Sequence, residues 1–155
     1  RKNKSMTEDC DIHAILNNCL AILHSQTEFR IEVTKNYSDQ RMVVLGNSGN
    51  LQHAFLNVLS NAIHAIHKRG EIILTTTVSN DQAIVVIKDN GVGIEADILS
   101  KISDPFFTTK DPGEGIGLGL SITSSIIQEH NGSITYTSEV NKGTIVNIIL
   151  PLKNY

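Results

Sequence analysis

Apolar residues recur along this chain at two different spacings, and each change of spacing marks a change of element. Ile12, Ile15, Leu16, Cys19, Ile22 and Leu23 fall mostly three or four residues apart, which predicts a helix with one buried face. Asp11 stands where the N-cap of that helix belongs. Phe29, Ile31 and Val33 then alternate with polar neighbours, as on a half-buried strand. The run Asn47-Ser48-Gly49-Asn50 interrupts, and residues 51–68 predict a second helix ended by Gly70. Residues 72–78 and 83–89 lie on either side of the turn Ser79-Asn80-Asp81-Gln82 and predict a hairpin. A short helix is expected within 94–103, a loop over 105–117, and a third long helix over 118–130, stopped by Asn131-Gly132. Residues 133–138 and 144–150 give a final hairpin about 139–142, closed by Pro151. Hairpins and three long helices outside strict βαβ alternation predict an α+β fold, a two-layer sandwich of helices on a sheet.

Composition narrows this without redirecting it. A chain of 155 residues with 40% apolar and 19% charged residues is the size of one globular domain with a real core. A net charge of −3 and no block of Lys or Arg argue against a nucleic-acid surface. Cys10 and Cys19 are too few for a disulfide framework, and no Cys/His spacing suits zinc, so a reducing cytosol is the expected setting. No apolar run approaches the ~18 residues of a membrane span. The opening RKNKSM reads as a solvated terminus, and a first residue other than Met reads as a piece cut from a longer chain.

The candidate chemistry lies in four short stretches. GEGIGLGL, residues 113–120, places a glycine at every second position directly before a helix. It fits neither G-x-x-x-x-G-K-[ST] nor G-x-G-x-x-G. Alternate missing side chains there expose backbone N–H groups at a helix start, where anions bind. Residues 51–68 are apolar almost all round, yet His53, Asn57, Asn61, His64 and Lys68 form one polar stripe at spacings of three and four. Such amides bond neighbouring loops or line a pocket, where an Asn oxygen suits a hard ion such as Mg²⁺. Asp89-Asn90-Gly91-Val92-Gly93-Ile94 follows an apolar strand and reads as an Asx turn or as a fixed acceptor for the amino group of adenine. Pro105-Phe106-Phe107-Thr108-Thr109-Lys110 sets an apolar pair and a cation in a polar loop, to pin the loop or to meet a ligand.

In this order the four stretches resemble the N box (LQHAFLNVLSNA), G1 box (DNGVGI), F box (DPFFTTK) and G2 box (GIGLGLSI) of sensor histidine kinases. These kinases belong to the GHKL superfamily, with gyrase-type ATPases, Hsp90 and mismatch-repair ATPases. The resemblance runs from Asp11 to Leu152. It implies the Bergerat fold: a mixed, mostly antiparallel sheet covered on one face by about three helices, with ATP held beneath a mobile glycine-rich lid spanning 103–117. Residues 1–10 would be a residual linker from an upstream phosphoacceptor and dimerisation domain, and 11–155 the catalytic domain. Asp89 would accept from the adenine amino group, Gly91, Gly93 and Ile94 would shape the purine floor, and Asn61 would ligate Mg²⁺, with Asn57 one turn earlier on the same wall. Phe107, Lys110, Gly115, Gly117, Leu118, Gly119 and Leu120 would complete the nucleotide site from the lid side. His64 and Thr144 would add contacts at the phosphates and the base.

The resemblance also implies a reaction and its missing half. Gyrase-type members carry a glutamate where this chain has Asn57, and a neutral amide cannot activate water as that carboxylate does. Phosphoryl transfer from Mg-ATP is therefore expected rather than hydrolysis. His13, His24, His53, His64, His67 and His130 all lack the acidic neighbour typical of the family's phosphoacceptor. The acceptor histidine is expected on the chain's own upstream helical hairpin, with a response regulator downstream. A homodimeric full-length protein, a monomeric isolated domain and a cytoplasmic location follow from the same resemblance. A nucleotide-sensing module without catalysis and an anti-sigma-type protein-serine kinase are the other readings.

Overall fold

The computed structural model describes residues 6–101 and 116–153. Its twelve elements run β1 (Glu8–Asp11), α1 (Ile12–Ile22), α2 (His24–Thr27), β2 (Ile31–Asn36), β3 (Val43–Gly46), α3 (Ser48–Ala65), β4 (Gly70–Ser79), β5 (Gln82–Asp89), α4 (Ala96–Leu99), α5 (Ile116–Glu129), β6 (Ser133–Glu139) and β7 (Gly143–Pro151). Five strands form one sheet in the order β2-β4-β5-β7-β6, while β1 and β3 pair separately. The β2–β4 pair is parallel and the other three pairings are antiparallel. This is the mixed, mostly antiparallel sheet under three long helices that the sequence predicts.

The core lies between sheet and helices. Leu51, Phe55, Leu59 and Ile63 of α3 are buried to 1% exposure or less, facing Ile72 and Leu74 of β4 and Val85 and Ile87 of β5. Helix α3 is central, with α1 on one flank and α5 on the other. Cys10 and Cys19 are free and buried, and burial pushes the Cys19 thiol up to about 12.

Ends of elements are set by local hydrogen bonds. The Asp11 carboxylate accepts from the Ala14 N–H at 3.1 Å, so it caps α1 as expected. The Asn47 side chain caps α3 in the same way, accepting from the Asn50 N–H at 2.8 Å, so this helix starts at Ser48 rather than 51. It stops at Ala65, because Ile66 is extended and its carbonyl accepts from the Arg30 guanidinium at 2.8 Å. Lys68 therefore lies off the helix, and Gly70 opens β4 instead of closing α3. Asn80 and Asp81 both adopt positive φ, 52° and 63°, which gives the first hairpin the twist its strands need.

Two further expectations are corrected. Phe29 does not belong to the strand: it has φ 74° and is 87% exposed, and β2 begins at Ile31. Glu8–Asp11 pairs with Val43–Gly46 in a short antiparallel ladder. Helix α5 begins at Ile116, inside the glycine stretch, and ends one residue before His130.

His130 joins the far ends of two helices. It is buried, its Nδ1 lies 2.8 Å from the Ile126 carbonyl, and its Nε2 accepts from the Asn47 N–H at 3.0 Å. An acceptor Nε2 fixes the neutral tautomer with the proton on Nδ1. The ring occupies the space that a Cβ at Gly46 would need. Gly46→Ala should therefore cost about 1–3 kcal/mol by overpacking. In a His130→Ala background the same change should cost much less, measured as a double-mutant cycle in denaturant unfolding. Additive costs would show that the ring is not what excludes a side chain at position 46.

Candidate nucleotide site

Asp89 ends β5 with its side chain on the helix-covered face, because the inward positions of that strand run Ala83, Val85, Ile87, Asp89. The carboxylate is 5% exposed. It accepts from the Gly91 N–H at 2.8 Å, the Asx turn that the sequence allows. Burial raises its pKa, opposed by the backbone N–H groups of Gly91 and Thr144. Among the described residues no cation pairs with it, so it has unused capacity to accept from a ligand.

The turn after Asp89 is held on two sides. The Val92 N–H donates to the Ala65 carbonyl at 2.9 Å, and the Val92 carbonyl accepts from the Asn141 N–H at 2.8 Å. Gly93 has φ 77° and lies so close to the Glu139 carbonyl that no Cβ fits. Gly91 likewise lies against the Ala65 carbonyl. The Ser138 hydroxyl accepts from the Ile94 N–H at 2.8 Å, donates to the Gly143 carbonyl at 2.9 Å and meets Thr144 Oγ1 at 2.8 Å. The glycines thus let the turn seat between the end of α3 and the β6–β7 turn.

Above this turn a cavity of ≈ 210 Å³ opens between α3, α5 and the sheet. Its walls include Asn61 and His64 of α3, Asp89, Gly93, Ile94, Leu120 of α5 and Thr144 of β7. Residues expected at one site from four separated stretches therefore meet around one space. Among the described residues, Asn61 Nδ2 is buried there without a hydrogen-bond partner. His64 lies at the exposed rim.

Other expected residues stand apart from the cavity or outside the described residues. The Asn57 amide turns to α5, with Nδ2 3.4 Å from both the Gly119 carbonyl and Thr123 Oγ1. It ties α3 to α5 and is not among the residues that line the cavity. Gly91 lies beneath the turn rather than in the wall. Gly117, Leu118 and Gly119 belong to the first turns of α5. Phe107, Lys110, Gly115 and most of the expected lid, 103–117, lie outside the described residues.

Sequence reasoning missed several walls. Tyr136 and Val146 line the cavity, as do Ala62, His67 and Val92. Val146 lies two residues from Thr144, and Tyr136 two from Ser138, so inward alternation along β6 and β7 was the signal available.

An ion is also testable against these groups. Among the described residues no cluster of three or more His, Cys, Asp or Glu exists to hold a metal. The unpartnered atom of Asn61 is Nδ2, which donates and cannot ligate a cation; the Oδ1 of the same amide, on the cavity wall, is the neutral oxygen that could. One such ligand fits Mg²⁺ that draws most of its shell from phosphates and water.

Comparison with known proteins agrees with this geometry. Residues 46–154 match the family described as histidine kinase-, DNA gyrase B- and HSP90-like ATPase. The chain is 32% identical over 152 residues to sporulation kinase C of Bacillus subtilis, covering 97% of this chain and 32% of that protein. It is 32% identical over 154 residues to the signal transduction histidine-protein kinase AtoS of Escherichia coli, covering 98% and 25%. The chain thus spans about a third or less of the curated relatives it matches. A mycobacterial sensor histidine kinase, MprB, superposes with a TM-score of 0.82 at 25% identity, over 96% of this chain and 99% of that one. The catalytic domain of histidine kinase ThkA shares the fold, with a TM-score of 0.82 at 24% identity over 95% and 98%. The chain belongs to the histidine kinase-, DNA gyrase B- and HSP90-like ATPase family.

Proposed function

We propose that this domain binds Mg-ATP in the cavity and presents the γ-phosphoryl group to a histidine on a separate phosphoacceptor hairpin of the parent protein, as one step of two-component signalling. The observation that supports this best is the meeting of Asp89, Asn61, Thr144 and Leu120 around one cavity, with a buried carboxylate that keeps lone pairs beyond its backbone bonds and, among the described residues, an amide donor without a partner. Asp89 would accept from the exocyclic amino group of adenine, while Ile94 and Leu120 cover the ring. Asn61 would hold Mg²⁺, which supplies charge neutralisation at the phosphates when bound. The first turns of α5, with Gly117 and Gly119, would present N–H groups to the phosphates. Gly115, Phe107 and Lys110 would close the lid, and His64 would meet the phosphates from the rim.

Transfer then needs an imidazole nitrogen in line with the γ-phosphorus: the new N–P bond forms, the bond to the bridging oxygen breaks, and ADP leaves. Asn57 supports transfer over hydrolysis, since an amide bonded to α5 cannot take a proton from water. The hairpin joined upstream, in a homodimeric parent, and a response regulator are the partners this reading requires.

Asp89→Asn should weaken ATP binding by about 2 kcal/mol in calorimetry, because a charged acceptor is lost. The stability sign runs the other way. A raised carboxyl pKa means that the folded chain holds this proton more tightly than the unfolded chain does. The ionised form therefore costs stability above the folded-state pKa, and the cost fades as pH falls through it. In the unliganded protein at neutral pH, Asp89→Asn should melt no lower than the parent; a lower melting temperature would mean that the charge is structural.

Asn61→Ala should retain the fold by circular dichroism and abolish Mg-dependent phosphotransfer. Transfer at the parental rate would place the ion elsewhere. Incubated alone with γ-labelled ATP, the chain should consume little nucleotide. Adding the upstream hairpin of its parent protein should yield label that is acid-labile and alkali-stable, as expected for phosphohistidine. Acid-stable, alkali-labile label would instead indicate a serine or threonine kinase, and none at all a nucleotide sensor.

A further inference from the structure

Among the described residues, the buried side-chain atoms without a hydrogen-bond partner are Asn61 Nδ2, Ser124 Oγ, the Tyr136 hydroxyl and Asn147 Oδ1. Buried polar groups are nearly always paired, so a group of orphans marks a place where something else is meant to bind. Asn147 lies on the far face of the sheet, between the inward residues Val146 and Ile148. The other three lie together. Asn61 and Tyr136 line the cavity, and Ser124 is one turn along α5 from Leu120, which also lines it.

Tyr136 is the odd member. The ladder pairs Ile87 with Val146 and Val146 with Tyr136, so these three form one row across the cavity floor. The adjacent row is Asp89, Thr144 and Ser138. An aliphatic residue would complete the first row without cost, whereas a buried, unpaired hydroxyl lowers stability. Burial also raises the Tyr136 phenol, with a smaller opposing effect of nearby Ser124, yet the two hydroxyls do not meet in hydrogen-bond geometry. Asp89 and Tyr136 are two strands and two residues apart, about 12 Å between their Cα atoms from ideal sheet spacings. With both side chains turned into the cavity, that separation leaves room for one purine between them.

We propose that Tyr136 is a specificity-determining residue of this site, its hydroxyl donating to a ring nitrogen of the purine held at Asp89 while Ser124 donates to Tyr136. One bound base then satisfies both hydroxyls, and the purine is read on two edges instead of one. This rests on the nucleotide reading above and adds to it a second contact from β6.

The test measures binding of ATP and its 1-, 3- and 7-deaza analogues to the 155-residue chain and to Tyr136→Phe. Calorimetry gives the affinities, and thermal unfolding without nucleotide gives the stabilities. The parent chain should bind one of the three analogues about five- to tenfold more weakly than ATP, the loss of one hydrogen bond. Tyr136→Phe should bind ATP weaker by the same factor and no longer distinguish that analogue. It should also melt at or above the parent temperature, because an unpaired hydroxyl has been removed; a merely structural tyrosine would lose stability and leave the analogue preference intact. ATP affinity unchanged in Tyr136→Phe, or analogue discrimination that persists in it, would overturn the proposal while leaving the nucleotide reading in place. A parent chain that binds no ATP would overturn both.

Discussion

Helix α3 is apolar on almost every side, so it has to be covered by α1 on one flank, α5 on the other and the sheet beneath. That requirement arranges the rest of the molecule. A helix enclosed in this way leaves only one strip for polar residues, and Asn57, Asn61 and His64 occupy it. Asn57 spends its amide on α5, which positions the glycine-bearing start of that helix. Asn61, one turn further on, keeps its amide for the cavity. The same helix ends where Arg30 claims the Ile66 carbonyl, and its last turn then offers the Ala65 carbonyl to the turn after Asp89. Structural support and the cavity wall are thus consecutive turns of one element.

The cavity is also where local rules are broken. Among the described residues a carboxylate is buried without a cation, an amide is left without an acceptor, and a phenol lies in a row that aliphatic residues would fill. Each of these lowers stability, and a sequence under selection for folding alone would repair them. Their grouping around one space argues that the deficits belong to a common ligand.

Much of this architecture can be read before any coordinates, because the long elements carry strong periodicity. The central helix and both hairpins follow from spacing, and the meeting of Asp89 with Asn61 is what the resemblance carried by the four motifs implies. What escapes is set by tertiary contacts. The strands β1 and β3 are four residues each, too short for alternation to stand out. The end of α3 depends on a guanidinium 36 residues away in the chain. Phe29 fits a strand pattern but is held at positive φ, which periodicity cannot register. Tyr136 escapes because its importance is a matter of register across three strands, and no single stretch of sequence contains it.

The pairing of β1 with β3 has a geometric consequence. Lys153, near the other end of the chain, donates its N–H to the Val43 carbonyl at 2.8 Å, and its ammonium meets the Asp9 carboxylate at 2.7 Å. The first and last described segments are therefore fastened to the same short strand, away from the cavity. Glu8 extends this fastening to the start of α3, accepting from the Ser48 N–H at 2.8 Å. Both segments therefore lie on one side of the fold, and the mouth of the cavity, lined by α3, α5 and the sheet, is left clear of either.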